Sequence, residues 1–284
     1  MEASAAPETA CGQPDVASVA EFEVDYAHRP LEEEAWVALD QGGVVVGFTA
    51  GQTRNGVLMV DGPIVAPGAR RQGIGRALYQ CLEAEAVEAG VELVEVGVRS
   101  TNTVGDAFLS AIGCGKHREI YVYEAHARVR AEPQIPAGYH IEDLKPRTLL
   151  PFLMVMHECF PGYRLPSTPQ RLFEPERMKI VLAVDATGRV AGALTAFYYP
   201  EDGHGYLYHL GVSEAHRGKG LARGLIVAAC DWLWDTHRPH LIGASTSIEL
   251  GARQRLFHPL GFALQYALRY ARKPLAAQVT PETA

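Results

Sequence analysis

The sequence predicts a mixed α/β protein built from two similar domains in tandem, and three observations support this fold class. The chain has 284 residues, a length that suits two domains with separate cores. Strand-like and helix-like periodicities alternate along both halves. The order of these segments also recurs: Gly47 matches Gly192, 145 positions on, and Gly73 matches Gly220, 147 positions on.

The first half is predicted to form three strands, a long helix, a strand, a short helix and a last strand. The turn Asp40-Gln41-Gly42-Gly43 separates the first two strands, because Asp and Gly favour tight turns. Gly90 ends the long helix, and Gly113 follows the short one. The strands are Trp36–Leu39, Val44–Ala50, Val57–Val65, Val91–Val98 and Glu119–His126, and the helices are Ile74–Ala89 and Asp106–Ile112.

The second half repeats this order after an additional strand and helix. The turn Asp185-Ala186-Thr187-Gly188 takes the place of the first-half turn, and Pro239 ends the long helix. The predicted strands are Tyr139–Glu142, Ile180–Val184, Val190–Tyr199, Gly205–Val212, Leu241–Thr246 and Phe262–Ala271, and the predicted helices are Thr148–Phe160 and Leu221–Asp235.

These patterns place the first domain at residues 16–130 and the second at 139–274. Residues 131–138 contain two prolines and are predicted to be a linker, and residues 1–15 and 275–284 are predicted to be flexible tails. A shift of 145 positions moves the strand Tyr139–Glu142 before residue 1. We therefore expect the first domain to lack its N-terminal strand.

The composition argues against several classes of protein. With 26 Lys+Arg, 33 Asp+Glu and a net charge of −7, the chain lacks the basic balance of a nucleic-acid binder. Its five cysteines form no C-x-x-C pair and no metal-ligand spacing appears, which predicts free thiols and no bound metal. The N-terminus is acidic and no apolar stretch has the length of a membrane span. We expect a soluble, cytoplasmic protein without a membrane partner.

A glycine-containing segment follows the third strand of each repeat and begins the long helix. Arg70-Arg71-Gln72-Gly73-Ile74-Gly75 and Arg217-Gly218-Lys219-Gly220-Leu221-Ala222 both fit R-x-x-G-x-G/A. Glycines let backbone N–H groups converge on an anion, and the helix dipole and basic side chains add positive potential. A pyrophosphate group is the natural ligand of such a loop.

Other interpretations of the segment fit the sequence less well. A glycine turn that only caps a helix does not explain two copies at matching positions of a repeat. A Rossmann site needs G-x-G-x-x-G, and Gly218, Gly220 and Gly224 miss that spacing. A Walker A loop needs an upstream glycine and a hydroxyl that the segment at Lys219 lacks.

With these two segments, the chain resembles the GNAT superfamily of acyl-CoA-dependent N-acyltransferases over most of residues 36–126 and 139–271. The first half also resembles a later signature of that family, in Asn102, Gly105, Phe108, Leu109 and Gly113. The resemblance implies acetyl-CoA as donor, a mixed sheet splayed open at its fourth strand, and direct attack of an amine on the thioester. The acceptor would be a primary amine of a small molecule, and the chain would act as a monomer or homodimer.

The resemblance also implies which residues contact the cofactor. They lie at the strand end, the loop and the helix start of each half, together with one asparagine: Val65, Arg70, Arg71, Gln72, Gly73, Ile74, Gly75, Arg76, Asn102, Val212, Arg217, Gly218, Lys219, Gly220, Leu221, Ala222 and Arg223.

The tyrosine that protonates the leaving thiolate in this family has no counterpart in either half. Its position, counted back from the last glycine, is Leu109 in the first half and Phe257 in the second, and neither side chain donates a proton. His258 is a candidate replacement, with protonation by water and a purely surface role for this histidine as the alternatives.

A general base is expected on the strand before the loop. In the second half the candidate is His209, whose ordinary pKa suits base chemistry near neutral pH, although a hydrogen-bonded structural histidine is the alternative. Strand alternation predicts Tyr206, Tyr208 and Leu210 on one face and Leu207, His209 and Gly211 on the other. Asp61 is the first-half candidate, although Asp61-Gly62-Pro63 also resembles a plain turn or a strand break.

The second domain is predicted to be the catalytic one, because it has the additional strand and helix and more aromatic residues near the expected cleft. The aromatic residues are Phe160, Tyr163, Phe197, Tyr198, Tyr199, Tyr206 and Tyr208. Two alternatives remain open. The protein binds acyl-CoA without catalysis, as the absent tyrosine suggests, or the first domain is only a scaffold with an empty loop.

Overall fold

A computed structural model describes residues 34–54, 56–128, 135–163, 165, 176–247 and 250–275. The predicted tails and most of the predicted linker lie outside these residues, apart from Leu275 and residues 135–138. The described strands are β1 (Ala35–Leu39), β2 (Val45–Arg54), β3 (Val57–Val65), β4 (Leu93–Arg99), β5 (Gly115–Ala125), β6 (Tyr139–Asp143), β7 (Met178–Asp185), β8 (Val190–Tyr199), β9 (His204–Val212), β10 (Leu241–Thr246) and β11 (Ala263–Pro274). The described helices are α1 (Ile74–Glu88), α2 (Thr103–Ala111), α3 (Leu149–Cys159), α4 (Leu221–Thr236) and α5 (Leu250–Phe257).

Each predicted element has a counterpart in the structure, with differences at the ends. Helix α2 begins at Thr103 rather than Asp106, because the Asn102 side chain accepts a hydrogen bond from Gly105 N at 2.7 Å and caps the helix. Helix α5 is the short second-half helix that the repeat implies; its bounds were not predicted, since its sequence has no regular apolar stripe. None of the helices within the described ranges has the length and apolar character to cross a membrane.

The described residues group into two compact units whose limits differ from the predicted domains. One unit takes in residues within Met1–Ile120 and Tyr266–Ala284, and the other is Tyr121–Gln265. The cause is the pairing of two strands. Leu268–Pro274 of β11 pairs with β4 in the first unit, and residues 121–125 of β5 pair with β10 in the second. Each unit therefore takes a strand from the other half of the sequence.

The first unit has a mixed sheet with strand order β1-β2-β3-β4-β11. Strands β3 and β4 run parallel, and the other neighbouring pairs run antiparallel. A hydrophobic core lies between the sheet and the two helices α1 and α2, and includes Leu58, Val60, Tyr79, Leu82, Val94, Val96, Val98 and Leu109. Among the described residues, β1 is the outer strand of this sheet.

The second unit has strand order β5-β10-β9-β8-β7-β6, so β6 pairs outside β7 as the additional strand. Helix α4 packs on one face of this sheet and α3 on the other. The core on the α4 face includes Leu194, Ala196, Leu207, Leu225, Leu233 and Ile242. The core on the α3 face includes Phe152, Met156, Tyr163, Ile180 and Leu182.

The glycine pair Gly47 and Gly192, which first indicated the repeat, lies where the long helix of each unit crosses the sheet. A Cβ on Gly47 would lie 2.9 Å from Leu78 of α1, and one on Gly192 would lie 3.3 Å from Leu225 of α4. The absent side chain therefore lets each long helix approach its sheet closely, and this fixes where the helix N-terminus lies.

Glu95 is a buried carboxylate that holds β11 in the first unit. Its side chain is 1% exposed and accepts hydrogen bonds from Arg118 at 2.6 Å and from Arg272 of β11 at 2.7 Å. Burial opposes ionisation, but the hydrogen bonds and charges of the two arginines prevail and lower the pKa of Glu95.

We predict that Glu95→Ala lowers the free energy of unfolding by about 3 kcal/mol, because it leaves two arginines without their buried partner. Urea unfolding of the full chain measures this loss. The exposed Glu88 provides the control, and Glu88→Ala should change stability by less than about 0.5 kcal/mol. Since the pKa of Glu95 is lowered from 4.5, the ionised carboxylate stabilises the folded state above pH 4.5. This stabilisation is lost as the pH falls further and the carboxylate is protonated. Equal stability of wild type and Glu95→Ala at neutral pH would contradict this role.

Candidate functional site

A β-bulge interrupts the strand that precedes the glycine loop in each unit. On β3, Gly62 and Pro63 together oppose Thr49, and on β9, His209 and Leu210 together oppose Leu194. Both bulges contain a residue of positive φ, +96° at Gly62 and +47° at His209. The bulge therefore belongs to the repeat, and its position is the same in both units.

The bulge in β9 reverses which face of the sheet the following side chains occupy. A Cβ on Gly205 would meet Leu233 of α4, whereas one on Gly211 would meet Cys159 and Phe160 at the end of α3. Leu210 likewise packs on the α4 core, although Tyr206 and Tyr208 lie on the α3 face. The predicted strict alternation is therefore wrong from His209 onward, because the extra residue shifts the phase.

The two glycine loops have the same backbone conformation. Positive φ values occur at Arg71 (+64°) and Gly73 (+83°) in the first loop and at Gly218 (+76°) and Gly220 (+88°) in the second. Gly73 and Gly220 are also the N-cap residues of α1 and α4. Alternating backbone conformations of this kind direct N–H groups to one side, and the first amides of a helix have no intrahelical partner. Both loops are thus suited to bind an anion.

An arginine fastens each loop to the end of its strand. Arg70 donates from Nε to the carbonyl of Val65 at 2.9 Å, and Arg217 does the same to Val212 at 3.0 Å. These two arginines therefore position the loop in addition to their predicted contact with the cofactor. Their matched geometry shows that the repeat extends to individual hydrogen bonds.

A cavity of about 490 Å³ opens beside the first loop. The parallel pairing of β3 with β4 ends at Val60 and Val96, so the two strands are no longer bonded where the cavity lies. The cavity brings together most of the predicted first-half cofactor residues: Val65, Arg70, Arg71, Gly73, Ile74, Gly75, Arg76 and Asn102. Gln72 is exposed and is not among its lining residues, and Leu109, at the position of the absent tyrosine, forms part of the wall.

The second loop carries as many basic residues as the first and is tied to neighbouring elements. Lys219 donates to the Tyr139 hydroxyl at 2.9 Å, and this hydroxyl also pairs with His216 Nδ1 at 2.8 Å. The Nε atom of Arg223 is buried without a hydrogen-bond partner among the described residues. A buried guanidinium donor without a partner favours an anionic ligand at this position. Tyr139 was not predicted to contact the loop, because it lies 80 residues before Lys219 in the sequence.

His209 lies on the α3 face, and its ring packs against aromatic side chains. The ring centroid lies 5.1 Å from that of Tyr163 and 5.7 Å from that of Phe160. His209 as a whole is exposed to solvent, and the packing of its ring against these side chains removes enough water to lower the pKa of His209 below its ordinary value of 6.5. The imidazole is therefore neutral at pH 7 and available as a proton acceptor.

Two buried hydroxyls beside His209 have no hydrogen-bond partner other than each other among the described residues. Tyr163 is 7% exposed and Thr195 is fully buried, and their hydroxyls contact no other hydrogen-bonding group in these residues. Burial raises the pKa of Tyr163 to about 12, although the hydrogen bond with the Thr195 hydroxyl opposes the rise. Each hydroxyl oxygen can accept two hydrogen bonds, so acceptor capacity remains unused on both. Sequence reasoning missed Thr195, because nothing local distinguishes it from a core threonine.

Six of the seven predicted cleft aromatics lie on the α3 face, and Tyr198 does not. Its ring stacks on His237 at 4.2 Å and packs on the α4 core. The other rings form a chain of contacts, which includes Phe197 with Tyr208 at 5.4 Å and Tyr206 with Tyr208 at 4.6 Å. Tyr198 lies on the opposite face because successive side chains along β8 alternate, and its neighbours Phe197 and Tyr199 both lie on the α3 face.

The remaining predicted catalytic candidates lie elsewhere. His258 is exposed immediately after α5, and its ring centroid is 6.2 Å from that of Tyr123. Phe257, at the position of the absent tyrosine, is buried and stacks on Tyr123 at 4.9 Å. Asp61 lies within β3 directly before the bulge, so this segment is not a turn, although the bulge at Gly62 and Pro63 interrupts the pairing of the strand.

Comparison with known protein families gives one match in each half of the chain. The model described as the Acetyltransferase (GNAT) family matches residues 6–113 and residues 150–262. The two matches together cover well over half of the chain, and they coincide with the two halves of the repeat.

Two curated proteins are similar over part of their length. Probable N-acetyltransferase 14 from Danio rerio is 40% identical over 82 residues, which are 28% of this chain and 29% of that protein. Mycothiol acetyltransferase from Clavibacter sepedonicus is 28% identical over 186 residues, which are 60% of this chain and 58% of that protein. The chain thus spans less than two thirds of the length of either relative.

A solved structure shows the same fold along nearly the whole chain. The GCN5-related N-acetyltransferase from Sphaerobacter thermophilus superposes with a TM-score of 0.79 at 21% sequence identity. The superposition covers 93% of this chain and 87% of that protein.

We predict that the His209 imidazole titrates below pH 6.5, since the aromatic rings around it exclude water from the charged form. NMR of the histidine ring signals, assigned with a His209→Gln variant, measures the pKa. Tyr163→Ala removes part of the cover and should move the pKa of His209 upward, toward 6.5. A pKa above 6.5 in the wild-type protein would contradict a desolvated ring.

Proposed function

The chain belongs to the acetyltransferase (GNAT) family, and we propose that it transfers an acetyl group from acetyl-CoA to a primary amine of a small molecule, with the chemistry in the second unit. One observation carries the choice of the second unit: its bulge presents a neutral imidazole, His209, three residues before the end of the strand that leads into the anion loop. The first-unit bulge has Gly62 at the matching position.

The residues of the second loop fit the diphosphate of the cofactor. The amides that begin α4 at Gly220 and Leu221 would bind the phosphate oxygens, supported by Lys219 and by the unpartnered Nε of Arg223. Val212, at the strand end, would offer backbone groups to the arm of the cofactor. When bound, acetyl-CoA supplies an activated acetyl thioester.

His209 would accept the proton that the acceptor amine must lose. An amine that is protonated in solution first gives one proton to the imidazole, directly or through water, and this exposes the lone pair that attacks the thioester. The N–C bond forms and the C–S bond breaks, and the second amine proton is released as the amide forms. The thiolate of CoA takes up one proton.

The proton for the leaving thiolate is proposed to come from water. The family position for a proton donor is occupied by Phe257, which is buried and apolar. His258 follows it in sequence but is exposed. It remains the second candidate, and a His258→Ala variant with unchanged kcat would favour water.

The cavity in the first unit favours a second candidate function, namely acyl-CoA binding without turnover. Its loop has the backbone of an anion site, and its cavity of about 490 Å³ has room for a ligand. Gly62 at its bulge has no side chain, Asp61 is not among the residues that line the cavity, and Leu109 in its wall offers no acid. The first unit would then hold a cofactor molecule that does not react.

We predict that the protein releases CoA when given acetyl-CoA and a reactive primary amine, and that His209→Gln lowers kcat/KM about 100-fold. Because the pKa of His209 is lowered from 6.5, the wild-type kcat should fall only as the pH drops below that value. Chromatographic measurement of CoA with a panel of amines provides the test.

The matched control for this variant is His126→Gln, which changes an exposed histidine far from the loop in sequence. It should leave kcat/KM unchanged. Full activity of His209→Gln would remove this residue from the mechanism. Binding of acetyl-CoA without turnover of any amine would favour the non-catalytic alternative.

We predict two acetyl-CoA sites per chain by calorimetry, with one lost in Gly73→Glu and the other lost in Gly220→Glu. Both glycines have positive φ, which strains any other residue, and the added carboxylate repels the diphosphate. Gly90→Glu is the control, because Gly90 has φ +71° and follows the C-terminal end of α1, the end of that helix opposite the first loop. One site, lost only in Gly220→Glu, would make the first unit a scaffold.

A further inference from the structure

We propose that the acceptor is a primary amine attached to an aromatic ring system, bound along the aromatic side chains on the α3 face of β8 and β9. This inference rests on the proposed function and names the substrate class of the same site. It depends on the arrangement of rings and of the Tyr163 and Thr195 hydroxyls around His209.

The aromatic strip consists of Phe197 and Tyr199 on β8 and of Tyr206 and Tyr208 on β9. Neighbouring rings in the strip are 4.6 to 6.3 Å apart between centroids. The hydroxyls of Tyr199 and Tyr208 lie 3.1 Å apart and form a hydrogen bond. Each of the four side chains is half-buried, so each keeps ring surface available for a ligand.

The strip leads directly to the proposed base. The ring of Tyr208 is 6.0 Å from that of His209, and the ring of Phe160 closes the other side of His209 at 5.7 Å. A ligand that lies along the strip would therefore have one end beside the imidazole. Offset and edge-to-face contacts with an aromatic ligand stabilise such a pose beyond simple burial of apolar area.

The hydroxyls of Tyr163 and Thr195 mark where the amine end would lie. Thr195 on β8 pairs in register with Tyr208, so its hydroxyl lies at the same level of the sheet as the start of the strip. The Tyr163 ring contacts His209 at 5.1 Å. The two hydroxyls have no partner but each other among the described residues, so each oxygen keeps acceptor capacity that an amine N–H would use.

These two features together restrict the acceptor class. The hydroxyls accept hydrogen bonds from the amine, and the ring faces attract an ammonium group as it approaches. Beyond the amine, the rings present mostly carbon, so a sugar-like body with many hydroxyls would lose hydrogen bonds to water on binding. An arylalkylamine fits both requirements, whereas aminoethanol or glucosamine fits only the first.

The test compares matched amines with the full chain and saturating acetyl-CoA. We expect kcat/KM for 2-phenylethylamine to exceed that for 2-aminoethanol and for glucosamine by at least about tenfold. We expect 2-cyclohexylethylamine, which has similar size without a π system, to lie between them. Equal or higher kcat/KM for glucosamine or 2-aminoethanol would overturn the inference. CoA release with none of the amines would overturn the proposed function itself.

Single-hydroxyl variants test the position of the amine end. Tyr163→Phe and Thr195→Val each remove one acceptor, and we expect each to raise KM for 2-phenylethylamine about fivefold or more. Tyr198→Phe removes a tyrosine hydroxyl on the opposite face and should leave KM unchanged. A purely structural role of the two hydroxyls would alter the melting temperature without altering KM, and this result would contradict the inference. If one variant fails to fold, the other decides.

Discussion

The β-bulge in the strand before each glycine loop is the feature on which the site depends. In the second unit the extra residue lies in β9. Two residues of β9, His209 and Leu210, lie opposite the single residue Leu194 of β8. The strand then continues with its side chains on the opposite faces, so that Gly211 lies against α3 and Leu210 packs on the α4 core. The same irregularity directs His209 to the aromatic side, where it is positioned beside Tyr163.

Much of the fold could be predicted from the sequence, because the repeat contains glycines that the backbone requires. Gly73 and Gly220 have positive φ, and Gly47 and Gly192 make room for a helix. The backbone therefore requires glycine at these four positions, and their matching spacing reveals the repeat in the sequence. The pairing of β5 with β10 and of β11 with β4 could not be predicted. Both segments have the pattern of a final strand, and only long-range pairing determines which sheet each one joins.

The candidate site could be predicted only in part, for a related reason. The loops and His209 follow from short motifs, whereas the face of each side chain after residue 208 depends on a bulge that no local signal announces. The hydroxyls of Tyr163 and Thr195 come together through tertiary packing. The two units have the same loop and bulge but differ beside them: the first loop has an open cavity, and the second has the His209 imidazole with an aromatic strip.

A crystal structure of the full chain with acetyl-CoA tests the central claim most directly. We predict cofactor diphosphate on the amides at Gly220 and Leu221, with the acetyl group beside His209 on the open side of the bulge. A second molecule in the first-unit cavity is compatible with this result. Cofactor bound only at the first loop, with the second loop empty at saturating concentration, would contradict the assignment of the chemistry to the second unit.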